Sequence, residues 1–509
     1  MSFILGVLED HLLTLFALVF LGVWIFSKFY RGLLNEVLEL VSTKWAWIAA
    51  CVVILLGLVR LGFYVSTLSF ADHAEPTVTS VSWLWNTGHP IYHAQDSAER
   101  YSLLYGPLLS IYHGTFLKIL GGSLFGAKLP GVLSGFLAML FCYLIARRFV
   151  SWQKSVVLTA IIALVWGKFG ATTFWARGDP HLILLVSIAT YFQIALKSTR
   201  IKNICLGVCA ALAVNIKIHS FIYFLPLIFL NGISVWIFVG ALPALVLPFF
   251  STGINISNYL EWIKAAGKHG LAIREFTQNF QIAVLGFLPS FLGAQNFRAF
   301  LKNNFALLLP VLIICVIACK PGAGFHHLLP FTPLFLFFFL KYADISRLKF
   351  HPRLTLTWVL VFFILAITTQ TKIIFKFKKG AGDGREKEIT EILDRYQGAN
   401  TNIGYGDSAH YRDSFYAPLA IFRGNPDLVD ASALMDMDLS HMPIPENTLQ
   451  ALRDCKIQNW ILPKDNEPFS LKSFYTLEPL FSEEFRKIFF QNYEKRETSN
   501  HYEIWSCKK

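Results

Sequence analysis

The stretch WAWIAACVVILLGLVRLGFYVSTLSFADHAEP, residues 45–76, decides the class of fold. Its apolar part, residues 45–65, is long enough to cross a lipid bilayer as one helix. Two acids, Asp72 and Glu75, follow where the apolar run ends. A second acidic stretch, WARGDPH at residues 175–181, holds the same position after a later apolar run. The sequence therefore predicts carboxylates at the mouth of a helical bundle in a membrane.

Apolar runs recur along most of the chain and predict a polytopic α-helical membrane protein. The composition agrees, because 54% of the residues are hydrophobic and only 15% are charged. Some runs are shorter than the roughly 20 residues of a full span, so the pieces around 203–232 are interpreted as half-helices or re-entrant segments. We predict a bundle of about 11–13 transmembrane helices. The spans lie near 11–28, 45–65, 127–148, 155–171, 180–197, 203–216, 218–232, 234–250, 281–295, 304–319, 325–341 and 354–372.

The net charge of +12 is interpreted as membrane topology and not as a site for nucleic acid. Basic residues cluster in alternate connections, which is typical of loops on the cytoplasmic face. The clusters are Lys28, Arg31 and Lys44; Arg147, Arg148 and Lys154; Lys197, Arg200 and Lys202; Arg298 and Lys302; and Lys341, Arg347, Lys349 and Arg353. The remaining connections then face outward. They are the loop 66–126, the turn 172–180, the loop 251–280, the turn 320–324 and the tail after 373.

The first outward loop and the tail carry secondary structure of their own. Helical apolar spacing at about 75–86 and 103–120 predicts amphipathic helices along the membrane surface. In the tail, GREKEITEILDRYQG predicts an amphipathic helix, and NIGYGD, WILPK and HYEIWSC predict strands. The predicted domains are an extra N-terminal helix with its cytoplasmic linker, a main transmembrane domain and a small extracytoplasmic α/β domain. They cover residues 1–44, 45–372 and 373–509.

The cysteines add one open question. Cys455 and Cys507 lie in the tail and could form a disulfide in an oxidising compartment, although their spacing alone does not show that they are close. The other six lie in apolar spans and are interpreted as small hydrophobic residues. No cleavable signal peptide is evident, because the first apolar run follows Glu9 and Asp10, and the N-terminus is expected to stay attached.

Cations and histidines are predicted on the same outward side as the acids. They are Arg177 and His181 on either side of Asp179, Lys217 and His219 in NIKIHS, and Lys320, His326 and His327 in CKPGAGFHHLLPF. A lysine can snorkel to the interface and a histidine can cap a helix, so each residue alone has an ordinary structural interpretation. Their convergence on one face indicates a substrate that is partly lipid and carries phosphate.

The order of these motifs resembles the GT-C superfamily of glycosyltransferases, particularly bacterial relatives of protein mannosyltransferases and of the aminoarabinose transferase that modifies lipid A. Members have an acidic motif in the first outward loop and then a glycine-aromatic segment, which E-P-x11-G-H-P-I-Y from Glu75 to Tyr92 resembles. Residues 105–135 resemble the continuation into the next span. Three later motifs of the family are also found. Arg177 and Asp179 match its acid after an arginine, and ALAVNIKIHS resembles its lysine after a small-residue helix. The segment from Lys320 to Pro330 resembles its K-x-G-x-x-x-H-x-L-P-like turn.

Two features depart from the family pattern. The commonest first motif is an adjacent Asp-Glu pair, whereas two residues separate Asp72 from Glu75 here, and the assignment of the base stays open between them. The apolar run at 11–28 is additional. The resemblance covers most of residues 45–372, and many members share an outward tail.

The resemblance implies transfer of a sugar from a polyprenyl-phosphate donor to a lipid, glycan or protein acceptor on the extracytoplasmic face, usually with inversion. The residue types suit this reaction, because a carboxylate can take the proton of an acceptor hydroxyl and negative charge favours an oxocarbenium-like transition state. The candidate catalytic residues are Glu75, Asp72 and Asp179. The candidate ligands of the donor phosphate and lipid are Lys217, His219, His326, His327, Lys320 and Arg177. The candidate acceptor and sugar contacts are Tyr92, Tyr105, Trp83 and His181.

Such a mechanism needs no metal or other cofactor. Some family members use a divalent cation, and Asp72, Glu75, Asp179 and His73 could supply its ligands. The aromatic residues of the first loop, Trp83 among them, either stack on sugar or anchor the loop at the level of the headgroups.

Two other classes of protein stay open. A transporter of polyprenyl-linked glycans would typically show an internal repeat or paired broken helices, and neither is clear. A polysaccharide ligase or polymerase that uses a diphosphate-linked glycan would be expected to depend on arginines in a large outward loop, where residues 251–280 offer only Arg274 with Lys264 and Lys268. The expected location is the bacterial inner membrane, with the tail outside.

Overall fold

A computed structural model describes residues 18–23, 25, 45–344 and 384–508. The described part before residue 345 is a bundle of α-helices, and a long connection, residues 87–106, joins the second and third of the helices below. The helices are α1 (Trp45–Ser66), α2 (Ala74–Asn86), α3 (Pro107–Leu120), α4 (Leu124–Arg147), α5 (Trp152–Lys168), α6 (Gly178–Ala195), α7 (Thr199–Val214), α8 (Leu225–Asn231), α9 (Val235–Val246), α10 (Ile256–Ala266), α11 (Ile273–Leu292), α12 (Phe297–Ile317) and α13 (Thr332–Tyr342).

Three turns of 3-10 helix interrupt the bundle where the chain changes direction. They are Ile218–Phe224 before α8, Leu247–Phe250 after α9 and Phe325–Phe331 before α13. Pro226 and Pro333 lie in the first turns of α8 and α13. Backbone N–H groups in a first turn have no partner within the helix, so the N–H group that proline lacks is not needed there. The segment 203–232 is divided as predicted, since α7 ends at Val214 and α8 has only seven residues. The interpretation of these pieces as half-helices or re-entrant segments stays a prediction.

The two helices predicted in the first loop are confirmed as α2 and α3, but α2 does not lie on an open membrane surface. Every residue from Ala74 to Ser82 is buried. The reason is that the C-terminal part of the chain packs over α2. Val81 of α2, Leu117 of α3 and Leu434 of the tail belong to one apolar core.

The C-terminal part is a small α/β unit around a four-stranded sheet in the order β1-β2-β4-β3. Strand β1 pairs parallel with β2, and the other pairs are antiparallel. The strands are β1 (Thr401–Ile403), β2 (Asn459–Pro463), β3 (Tyr493–Thr498) and β4 (Tyr502–Cys507). The helices are α14 (Arg385–Arg395), α15 (Ala417–Phe422), α16 (Ala431–Leu439), α17 (Glu446–Arg453) and α18 (Glu483–Asn492).

The predicted tail helix and three of these strands are confirmed, and β3 was missed. Its sequence, YEKRET, is almost entirely polar, and most of its residues are not buried. It forms because the hairpin pairs it with β4 at the edge of the sheet, where a charged strand is favoured. An apolar pattern therefore gave no signal for it.

The chain is an integral membrane protein. Two helices of the described part, α4 and α12, are long and apolar enough to cross a membrane by length and composition. Helix α9 leaves Val235, Phe238 and Leu242 exposed by 65%, 62% and 65%. Apolar surface of this extent on one helix is typical of a face that contacts lipid or another protein.

The predicted outward connection 251–280 contains α10 and the first residues of α11. Helix α10 buries Tyr259, Trp262 and Ala265, which are spaced three residues apart and so share one face. Only residues 18–23 and 25 of the predicted span 11–28 are described, and they are helical. The predicted span 354–372 lies outside the described residues.

The structure joins Cys455 to Cys507, which are 52 residues apart, in a disulfide. The bond ties the end of β4 to the segment after α17. We expect the double substitution Cys455→Ser and Cys507→Ser to lower the free energy of unfolding by about 2–4 kcal/mol, because the bond closes a long loop in the unfolded chain. Thermal unfolding of the purified protein in detergent measures the loss.

The control for this prediction is Cys51→Ser, which removes a free and exposed thiol. It should leave the thermal transition where it is. An unchanged transition in the double variant, or free thiols at both positions in protein made in an oxidising compartment, would contradict the prediction.

Candidate active site

Two ion pairs lie side by side at one end of the bundle. Arg177 Nη1 donates to Asp72 Oδ1 at 2.7 Å, and Lys217 Nζ donates to Asp179 Oδ1 at 2.7 Å. Tyr105 joins them, since its hydroxyl accepts from Arg177 Nη2 at 2.9 Å and its ring centre lies 5.6 Å from Lys217 Nζ. Five predicted site residues therefore form one cluster, which we call the ion-pair network.

Local structure brings these residues together at the beginnings of helices. Arg177 is the N-cap residue of α6, Asp179 lies in the first turn of that helix, and Lys217 precedes a 3-10 turn. A carboxylate in the first turn is favoured by the helix dipole. The loop before α3 reaches the network because of Gly106, where a Cβ would lie 2.2 Å from the carbonyl oxygen of Asn215.

Trp175 belongs to the network although the sequence analysis assigned it no role. Its Nε1 donates to Asp179 Oδ2 at 3.0 Å, and the Arg177 guanidinium carbon lies 4.3 Å from its ring centre. Helix α4 approaches this segment closely, because a Cβ on Gly131 would lie 2.1 Å from the Trp175 carbonyl oxygen. Its place at the start of the WARGDPH motif was the signal for it, but a tryptophan at this depth is commonly an interfacial anchor.

The two carboxylate oxygens of Asp72 have different partners. Its Oδ1 accepts from Arg177 and from the Ala74 N–H at 3.0 Å, whereas its Oδ2 lies 3.4 Å from Nδ1 of His73. The side chain remains 20% exposed. Burial raises the pKa of the Asp72 carboxyl, but the Arg177 guanidinium and His73 outweigh burial and hold that pKa well below its usual range. Asp72 is therefore ionised.

Glu75 is fully buried and accepts four hydrogen bonds. Ala71 N–H and Asp72 N–H donate to its Oε1 at 2.7 and 2.9 Å, and Ala176 N–H donates to its Oε2 at 2.9 Å. The Tyr64 hydroxyl is the fourth donor. Burial raises the pKa of Glu75 despite these hydrogen bonds. The carboxylate thus holds together the end of α1, the beginning of α2 and the segment before α6.

Three histidine rings lie next to the ion-pair network. The ring centres of His219 and His327 are 5.2 Å apart, and those of His326 and His327 are 4.6 Å apart. Each ring has one buried nitrogen without a hydrogen-bond partner among the described residues: Nε2 of His219, Nε2 of His326 and Nδ1 of His327. Buried polar atoms without partners are rare in native proteins and require an explanation. An anionic ligand would supply the missing partners.

Two other predicted residues have protein partners away from the network. Lys320 Nζ donates to the Ala266 carbonyl oxygen at 3.0 Å. His181 Nε2 lies 2.9 Å from His113 Nε2, and its Nδ1 lies 2.8 Å from Ser134 Oγ. The structure does not place either side chain beside Asp72.

The predicted sugar contacts Tyr92 and Trp83 also lie outside the network. The Tyr92 hydroxyl donates to the Tyr105 carbonyl oxygen at 2.6 Å, so Tyr92 supports the backbone of a network residue. The Trp83 ring packs against Phe422 of the tail, with 5.4 Å between ring centres. Trp83 thus anchors the first loop to the C-terminal unit.

Lys128 is a structural residue that the sequence analysis missed. Its Nζ is buried in α4 and donates to the carbonyl oxygens of Tyr64, Thr67 and Ser69 at 3.2, 2.6 and 2.7 Å. These hydrogen bonds supply donors for backbone carbonyl groups at and after the C-terminal end of α1, just before Asp72. A lysine inside the apolar run LFGAKLPG is itself a signal, because a charge at that depth needs partners.

The carboxylates of this site do not fit a divalent cation. Asp72 is neutralised by Arg177, and Asp179 is neutralised by Lys217. Among the described residues, no group of three or more His, Cys, Asp and Glu side chains has the arrangement of a metal site. A divalent cation would have to compete with Arg177 for Asp72 and with Lys217 for Asp179.

Solved structures of ArnT from Cupriavidus metallidurans share this architecture. The complex with undecaprenyl phosphate superimposes with a TM-score of 0.56 at 10% identity, covering 91% of this chain and 98% of that chain. The apo form gives 0.53 at 9% identity with the same coverage. The chain has a GT-C fold. The resemblance predicted from the motifs is confirmed, although identity this low bears on the fold alone.

Residues 106–252 match the family model described as dolichyl-phosphate-mannose-protein mannosyltransferase. The matched segment contains Arg177, Asp179, Lys217 and His219, and it is less than half of the GT-C chain. No relative was found among curated protein sequences.

Removing one partner of the Lys217–Asp179 pair should destabilise the protein strongly. The two side chains are only 7% and 1% exposed, so either single change leaves an uncompensated buried charge. We expect Lys217→Met or Asp179→Leu alone to cost roughly 3–5 kcal/mol, and the double variant to cost less than the sum. Thermal unfolding of the four proteins in detergent measures the cycle.

The matched control is the exposed pair of Arg395 and Glu497 in the tail. Arg395→Met should cost about 1 kcal/mol or less, because solvent screens that pair. Additive losses in the Lys217 and Asp179 cycle would show that the two residues do not interact.

Proposed function

We propose that this protein is a glycosyltransferase that moves a sugar from a polyprenyl-phosphate donor to an acceptor hydroxyl on the extracytoplasmic face of a bacterial inner membrane. The main supporting observation is that Asp72, an ionised and partly exposed carboxylate, shares one network with Lys217. That network lies beside three histidines, each with one buried ring nitrogen that has no partner in the described part of the chain. The GT-C fold supports this function, and so does the local match to the mannosyltransferase model.

The donor phosphate is proposed to bind between Lys217 and the three histidines. Lys217 Nζ supplies positive charge, and the unpaired nitrogens of His219, His326 and His327 supply donors in a site from which water is largely excluded. Phosphate charge grows as the glycosidic bond breaks, so these groups stabilise the transition state more than the bound donor. Arg177 lies between this pocket and Asp72 and adds charge.

We propose Asp72 as the general base, with Oδ2 as the reacting atom. The acceptor oxygen forms a bond to the anomeric carbon from the face opposite the phosphate, the carbon–oxygen bond to phosphate breaks, and its electron pair stays on the phosphate. The acceptor proton passes to Asp72. A carboxylate of low pKa can accept this proton late in the reaction. By then the acceptor hydroxyl is strongly acidic, because its oxygen is bonding to an oxocarbenium-like centre.

Glu75 and Asp179 are proposed to act through position and charge. Glu75 has no free oxygen for a substrate, since both of its oxygens accept hydrogen bonds from the protein. Asp179 holds Lys217 and Trp175 in place. None of these steps requires a metal, and we propose that transfer continues in the presence of a chelator.

The test is sugar transfer by purified protein in detergent, with a panel of polyprenyl-phosphate pentoses and hexoses and a membrane lipid extract as acceptor. Asp72→Asn should lower kcat by about 10²-fold or more with the donor KM little changed, because it removes the base and leaves the phosphate site. Asp179→Asn should raise the donor KM, because Lys217 loses its partner. Transfer by wild type should be insensitive to EDTA.

The matched control is Asp394→Asn, an exposed carboxylate that pairs with Arg423 on the surface of the tail. It should leave both constants unchanged. Full activity of folded Asp72→Asn would exclude Asp72 as the base. Wild-type protein that binds polyprenyl phosphate but turns over no donor would instead favour a carrier or a ligase that uses diphosphate-linked glycans.

A further inference from the structure

Aromatic side chains of the C-terminal unit face the acidic motif of the first loop. The ring centre of Phe474 lies 5.7 Å from that of His73, and the ring centre of Tyr411 lies 6.2 Å from it. Tyr411 and Phe474 also contact each other, with 5.2 Å between centres. We call His73, Tyr411 and Phe474 the aromatic patch. It is adjacent to Asp72, and Phe474 remains 44% exposed.

Asp436 lies one helical turn after Ser432 on α16, so its side chain is on the face of that helix that contacts the His73 backbone. Asp436 of α16 interacts electrostatically with His73 and Arg177, and Tyr475 interacts with both Asp436 and Arg177. No hydrogen bond or ion pair of the Asp436 carboxylate occurs among the described residues. Asp436 is thus an acid within range of the ion-pair network that the proposed chemistry does not use.

The backbone of α16 is held firmly against the first loop. Asp430 Oδ1 accepts a hydrogen bond from Thr77 Oγ1 of α2 at 2.8 Å, and Ser432 Oγ donates to the His73 carbonyl oxygen at 3.0 Å. At the other end, His269 Nε2 lies 3.1 Å from Ser440 Oγ. Contacts at both ends of α16 therefore hold Asp436 in a fixed position relative to Asp72, as a binding site requires.

We propose that the aromatic patch and Asp436 form the acceptor subsite, and that this subsite binds a sugar unit of a glycan acceptor. The inference rests on the proposed transferase function and deepens it. A sugar has apolar C–H faces that pack on aromatic rings, and hydroxyls at its edge that donate to a carboxylate. A sugar packed on Phe474 and His73 presents a hydroxyl toward Asp72 while Asp436 accepts from another.

The chemistry of the aromatic patch and Asp436 favours a glycan over a simple lipid or a peptide. An alkyl chain would leave Asp436 without a partner in a partly buried position, which is costly. A peptide would be expected to pair its backbone with an exposed strand edge. Peptide acceptors are a named outcome of the test below.

Binding of methyl glycosides to the full-length protein in detergent tests the subsite without any donor. The probes are methyl α-mannoside, methyl β-galactoside and methyl β-N-acetylglucosaminide, and saturation-transfer NMR measures their affinities. We expect at least one to bind wild type, and Phe474→Ala and Asp436→Asn each to weaken it by about tenfold. Asp454→Asn, an exposed acid of the same unit, is the matched control and should bind as wild type does.

Each variant must retain the wild-type thermal transition, and Phe474→Leu is the substitute if Phe474→Ala does not. Unchanged affinity in the folded Asp436 and Phe474 variants overturns the subsite, as does binding of a serine peptide in place of all three glycosides. With a donor that wild type uses, both variants should raise the acceptor KM about tenfold and leave the donor KM unchanged. If glycosides bind and the binding depends on these residues, but the protein transfers no sugar from any donor, the proposed transferase function is wrong. The proposed sugar-binding site then stands.

The pH dependence of glycoside binding gives a second readout. Burial raises the pKa of Asp436 to about 7, with His73 and Arg177 opposing the shift and Asp430 adding to it. The ionised form is the stronger acceptor, so affinity should rise between about pH 6 and pH 8 in wild type. The rise should be absent in Asp436→Asn, and its persistence there would assign the titration to another group.

Discussion

Charges buried at the edge of an apolar bundle must be paired, and the arrangement around the site follows from that requirement. Arg177 and Lys217 each lie against a carboxylate, and Tyr105 lies between the two cations. The partners come from the first loop, from the beginning of α6 and from the turn after α7. Removing any one charge leaves another buried alone, so the pairs fix segments that are far apart in sequence. Glu75 and Lys128 are also buried and have polar partners, because each hydrogen-bonds backbone groups where α1 ends.

Two acids three residues apart have different environments, and this difference separates the roles proposed for them. Glu75 is enclosed and saturated with hydrogen bonds, whereas Asp72 shares one oxygen with Arg177, has the other 3.4 Å from His73 Nδ1 and is 20% exposed. An enclosed carboxylate orders backbone, and a partly exposed one can meet a substrate. Sequence spacing could not distinguish them, because both lie on the same turn.

The sequence predicted the parts of this molecule that depend on local patterns. Apolar runs located most helices of the bundle, period-3.6 spacing located α2 and α3, and the motifs named Asp72, Arg177, Asp179 and Lys217. It did not predict what depends on contacts between distant segments. The contacts of Trp175 with Asp179 and Arg177, the formation of β3 and the enclosure of α2 all depend on pairing and packing that no local pattern encodes. His181 illustrates the converse, since it follows a network residue by two positions yet pairs with His113 and Ser134.

The composition change near residue 373 suggests a tail separate from the bundle, but the packing indicates one unit. Thr77 and Asp430 are 353 residues apart in sequence and hydrogen-bonded in the interior, and the first loop and the tail share one apolar core. The proposed transferase would admit a lipid from the bilayer and a polar acceptor from water, so its site would need one apolar side and one polar side. Apolar helices would supply the first, and the polar and aromatic groups of the tail would supply the second. Under this proposal the tail is a part of the site and not an appended domain.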